Sequence, residues 1–153
     1  MNRTVTALSV ALAAATMCGR AHAHCEIPCG IYDDGARFNR LEEHISTIEK
    51  SMRQIAKLSR APRPDYNQIV RWVTNKEHHA EQFQHILSQY FLHQRIKPVE
   101  NEKSAAYKEY IRKLVLVHKL LVAAMKTKQS TDLTVVTQMR SLLGEFRKAY
   151  EKK

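Results

Sequence analysis

Apolar residues recur at alternating spacings of three and four along four stretches of the chain, the period of an amphipathic helix. The first stretch runs through Phe38, Leu41, Ile45, Ile48, Met52 and Ile55 and predicts a helix from Gly35 to Ser59. The segment Arg60-Ala61-Pro62-Arg63-Pro64 must end it, because proline lacks an amide donor and restricts the residue before it. A second helix is expected from near Asp65 to just before Pro98. Its stripe is Ile69, Val73, Ala80, Phe83, Leu87 and Tyr90, flanked by Trp72 and Ile86, and its middle, Lys76-Glu77-His78-His79, is polar. The loop from Pro98 to Lys103 leads into a third helix striped by Tyr107, Ile111, Leu114, His118, Leu121 and Met125, which closes over Lys126 to Ser130. Thr131 or Asp132 can cap a fourth, striped by Leu133, Val136, Met139, Leu143, Phe146 and Tyr150. Four helices with short links imply an all-α fold, an antiparallel four-helix bundle covering residues 35–153.

The residues ahead of the first stripe lack this period and divide in two. Residues 1–23 read as a secretory signal peptide: Arg3 supplies the positive start, Val5 to Met17 is small and apolar, and Ala21-His22-Ala23 is an A-x-A cleavage site. Cleavage there would make His24 the first residue of an exported protein, periplasmic, secreted or in an organelle lumen. It would remove Arg3 and Arg20 and lower the formal net charge from +10 to +8. The remaining Lys and Arg are spread over every helix. They read either as solvated faces or as a diffuse positive field that draws in a small anion, with no dense tract for nucleic acid and no stable membrane association expected.

Residues 24–34 form an irregular N-terminal peptide, and it concentrates the chemistry. Of the three cysteines, Cys25 and Cys29 remain after cleavage, both within six residues of the new terminus. A free amine on His24 and the deprotonated amide nitrogen of Cys25 would close a five-membered ring on a metal. That nitrogen and the Cys25 thiolate would close a second, and Cys29 would supply a fourth in-plane donor. Nitrogen and sulfur donors in a plane favour Cu(II) or Ni(II) over zinc, which prefers tetrahedral sites. The His24 ring can reach the same metal axially, while Pro28 and Gly30 suit the turn that brings Cys29 back. Tyr32 follows closely enough to present its hydroxyl to a small anion.

The run His24-Cys25-x-x-Pro28-Cys29-Gly30-x-Tyr32-Asp33 resembles the N-terminal nickel hook of the nickel superoxide dismutases, and the four-helix pattern covers the rest of the chain as in that family. The resemblance implies disproportionation of superoxide to oxygen and hydrogen peroxide by Ni(II)/Ni(III) cycling, with one nickel ion per subunit. It assigns nickel to the His24 amine and ring, the Cys25 amide and thiolate and the Cys29 thiolate. Thiolate and amide donors, with an axial imidazole, stabilise the oxidised ion. The resemblance further implies that Tyr32 gates the substrate and that the protein assembles as a homohexamer. A supporting arginine of some members falls at His79 in this chain, and Glu43 is a candidate carboxylate partner.

Other readings of the same residues give other proteins. A Cys25–Cys29 pair in an exported chain also suits a small disulfide loop, and the same chelate would serve a non-catalytic nickel or copper carrier. His118, on the stripe of the third helix, reads as a hydrogen-bonded core histidine. His78 and His85 share a helix face that reads as solvated, and His44 and His93 join no constellation. The Glu-x-x-His pairs of di-metal bundles are absent from the four helices.

Overall fold

Each helix begins at a side chain that accepts a backbone N–H otherwise left without a partner. The computed structural model describes residues 31–152. In it Asp33 accepts from the amide of Ala36 and starts α1, Asp34–Ser59. Asp65 accepts from Gln68 and starts α2, Tyr66–His85, which runs on without a break as a π-helical segment, Ile86–Arg95. Ser104 accepts from Tyr107 ahead of α3, Ala105–Gln129, and Asp132 accepts from Thr134 ahead of α4, Leu133–Glu151. Asp34, the last residue assigned to the irregular N-terminal peptide, is thus the first residue of α1. Residues 1–30, which hold the expected leader and the expected ligands His24, Cys25 and Cys29, lie outside the described residues.

Within Asp33–Lys153, which forms one unit, α1 packs on α2 and α4, and α3 packs on α2 and α4. This cyclic order is the up-down-up-down bundle expected from the short links. All six residues of the α1 stripe are buried, as are Val136, Met139, Leu143 and Phe146 of α4 and Ala80, Phe83, Leu87 and Tyr90 of the second helical stretch. The aromatic rings of Phe38, Phe91, Phe146 and Tyr150 meet at centroid separations of 4.8–5.8 Å and close one end of the core. No helix among the described residues is long and apolar enough to cross a membrane.

The third helix departs from expectation. Its buried side chains are Leu116, Val117, Leu120, Ala123, Ala124 and Thr127, whereas Ile111, His118 and Met125 of the expected stripe face outward. His118 is therefore a surface residue and not a core histidine. Apolar residues occupy two sides of α3, and the side that packs is the one where small Ala and Thr let α2 and α4 approach. Along α2, Val73 is also exposed, and the stripe is continued by Lys76, only 4% exposed. Its ammonium group donates to the carbonyls of Thr127 and Lys128, both at 2.7 Å, and Ser130 at 3.4 Å, where α3 ends.

Candidate functional site

Of the residues singled out for chemistry, three are described: Tyr32, Glu43 and His79. Tyr32 is exposed and directly precedes Asp33, the cap of α1. Glu43 projects from α1 with 69% of its side chain exposed and pairs with Arg40 at 3.8 Å. His79 sits on α2, half-buried, and its Nδ1 lies 2.8 Å from Nδ1 of His44 on α1. His44 is buried at 7% exposure, and the ring of His78 stands edge-on to His79 at 5.5 Å. The pair escaped the sequence reading because its members are 35 residues apart on different helices, and no spacing within one helix announces such a contact.

Two Nδ1 atoms at hydrogen-bond distance need one donor and one acceptor, so the two rings adopt opposite tautomers. Burial, and after it the neighbouring His79, Arg40 and His78, pushes the pKa of His44 down to about 4. Burial and His78 lower that of His79 as well. Both imidazoles are therefore neutral at pH 7. Between the ordinary histidine value near 6.5 and about 4, the unfolded chain binds a proton that the folded chain refuses. The stabilisation is thus complete above pH 6.5 and is lost as the pH falls toward 4. Thermal unfolding followed by circular dichroism should show a midpoint that drops between pH 7 and pH 4.5, by up to about 3 kcal/mol of stability from His44. His44→Gln should flatten that slope; parallel slopes for the two proteins would refute the assignment.

At the end of the bundle where α1 begins, the Asp34 carboxylate gathers four hydrogen bonds. Oδ1 accepts from Tyr90 Oη at 2.6 Å and Arg95 Nε at 2.9 Å, and Oδ2 accepts from Arg95 Nη2 at 2.6 Å and Tyr150 Oη at 2.9 Å. The bond from Arg95 is the main reason that the Asp34 carboxyl titrates below its ordinary value. Burial, and after it the hydrogen bond to Asp34 and that carboxylate's charge, push the Tyr150 phenol up to about 12. This cluster, too, was missed from sequence.

Among the described residues no group of three or more His, Cys, Asp or Glu side chains can hold a metal ion. The family model for nickel-containing superoxide dismutase matches residues 19–153. The chain belongs to the nickel-containing superoxide dismutase family. No curated protein and no solved structure matches it. As a nickel superoxide dismutase it carries nickel as its cofactor and converts two superoxide anions and two protons to oxygen and hydrogen peroxide. The match opens at Gly19, five residues ahead of His24, so it spans the whole cysteine-bearing peptide as well as the bundle.

Proposed function

We propose that the nickel centre of this dismutase is the peptide His24 to Tyr32, assembled once cleavage before His24 exposes the α-amine. The observation that carries the reading is the run His24-Cys25-x-x-Pro28-Cys29-Gly30-x-Tyr32-Asp33, which holds the two cysteines left in the processed chain. The donor set suits the metal. Nickel in this site would supply one-electron redox chemistry, and aqueous Ni(II) is too hard to oxidise for that unless strongly donating thiolate and amide ligands stabilise the higher state. Cys25 and Cys29 provide those thiolates, and the His24 amine and ring and the Cys25 amide complete the set.

The chain's other residues would deliver the substrate and hold the ligands in place. The Tyr32 hydroxyl would donate a hydrogen bond to superoxide and exclude larger molecules. His79 would take the place of the family's supporting arginine. With His44 donating from Nδ1, the His79 ring carries its proton on Nε2 and can offer it to a ligand or a water. Glu43 is the carboxylate candidate on the same helix as His44. The basic surface would draw superoxide in.

Export after removal of residues 1–23 and assembly as a homohexamer complete the proposal. Apolar side chains left exposed at helical spacing, Tyr66, Val70 and Val73 on α2 and Ile111, Val115 and Met125 on α3, support subunit contacts. The processed, nickel-loaded chain should consume superoxide and show a rhombic Ni(III) electron paramagnetic resonance signal. A diamagnetic, inactive nickel protein, or a metal-free chain two hydrogens lighter than its reduced mass, would refute the proposed centre.

A further inference from the structure

The winding of the chain between Ile86 and Arg95 has a local consequence. Residues five apart in an α-helix point roughly 140° away from each other. In a π-helix, where each amide bonds to the carbonyl five residues back, the wider turn brings them to the same side of the helix. The bond from the Ile96 amide to the Phe91 carbonyl, 2.8 Å, is of this kind. Tyr90 and Arg95 are five apart, and both donate to the same oxygen of Asp34. A regular α-helix would turn one of the two away, so the rarer winding is what lets a single segment grip this carboxylate twice. Tyr150, near the end of α4, takes the other oxygen, and the ring cluster of Phe38, Phe91 and Phe146 stiffens the base beneath it.

The four bonds also hold this end of the bundle together, with the nearly buried Tyr90 hydroxyl satisfied by Asp34. Asp34 and Arg95 keep 29% and 30% of their side chains exposed, and ion pairs that wet contribute modestly. The helix start is already capped by Asp33. What the extra bonds add is fixation of the first residue of α1, at a point where helices ordinarily fray.

We propose that Asp34, Tyr90, Arg95 and Tyr150 form a clamp that positions the nickel hook: by immobilising the residue two places beyond Tyr32, it sets where the metal-binding peptide leaves the bundle. This rests on the reading that His24, Cys25 and Cys29 hold the nickel. The four are positioning residues, acting on the metal through the chain that joins them to its ligands.

The test uses the processed, nickel-loaded enzyme and compares Asp34→Asn and the milder Tyr150→Phe with Arg140→Met. The last variant breaks ion pairs of α4 with Glu42 and Glu49 elsewhere on the bundle and serves as a stability control. Nickel release to a chelator, the Ni(III) resonance line shape and the unfolding midpoint are measured for each. Asp34→Asn should release nickel several-fold faster and broaden the resonance, because the chain leading to the ligands would no longer start from a fixed residue. Tyr150→Phe should move both readouts in the same direction by less, and Arg140→Met should leave them unchanged even at an equal loss of stability. Wild-type release and line shape in both clamp variants would overturn the clamp and leave the hook intact. Full nickel retention by Cys25→Ser would overturn the hook reading and the clamp with it.

Discussion

A single glycine added ahead of His24 should reduce superoxide disproportionation to the uncatalysed background, and retention of the leader should do the same. The reason is geometric. The α-amine of His24 can form a five-membered ring with the Cys25 amide nitrogen only when no residue precedes it; acylation turns that amine into a peptide nitrogen and shifts the new amine a residue away. Both thiols and the imidazole remain in the extended chain, so it should still bind some Ni(II). It should lack the rhombic Ni(III) signal, because the proposed donor set of His24 amine, Cys25 amide and two thiolates could no longer form. Activity assays on the extended and the processed protein, with nickel counted by native mass spectrometry, check the expectation. Undiminished turnover by the extended chain would show that the amine is not a ligand.

The proposed terminal motif is a sequence reading alone, since His24, Cys25 and Cys29 lie within six residues of one another and outside the described residues. The bundle was legible from its apolar pattern. In α1 and α4 one face is apolar and the other charged, so the stripe Phe38 to Ile55 has only one side on which to pack. In α3 this logic gives out, since Ile111, Val115 and Met125 make a convincing apolar face that stays outside. The buried face is marked partly by Ala123, Ala124 and Thr127, whose small side chains carry a weak hydropathy signal. Periodicity gives the helix but does not choose between its two sides.

Two side-chain clusters of the bundle lay further from sequence reasoning. The π-helical segment has an ordinary helical composition, Ile-Leu-Ser-Gln-Tyr-Phe-Leu-His-Gln-Arg, and its winding brings Tyr90 and Arg95 to a carboxylate more than fifty residues away. The His44–His79 contact likewise exists only once α1 lies against α2. One signal was available and passed over. Lys76 falls on the α2 stripe at the position between Val73 and Ala80 where the alternation of three and four calls for an apolar residue. A lone lysine on an otherwise apolar seam points to a buried ammonium with a specific task.

That task is to end α3, and removing it should cause a large loss of stability. Ser130, the residue after the helix, has an extended backbone (φ −149°, ψ 174°), so the chain leaves without the left-handed turn that normally satisfies the last carbonyls. The Lys76 ammonium group, reaching across from α2, takes over those carbonyls and places a positive charge at the negative end of the α3 dipole. Lys76→Met keeps much of the side chain's length and its packing but offers no donor. Each hydrogen bond from a charged group contributes about 1.5–3 kcal/mol, and part of the loss is offset because no ammonium group has to be desolvated. A net loss of about 3 kcal/mol follows, or about 10 °C in the unfolding midpoint for a chain of this size. Urea and thermal unfolding measure it directly. Hydrogen exchange should place the loosening in the last turn of α3 and the link to α4, with the start of α1 unaffected. A loss below about 1 kcal/mol would mean that water replaces the ammonium group at those carbonyls without penalty, and that the buried lysine is not what ends the helix.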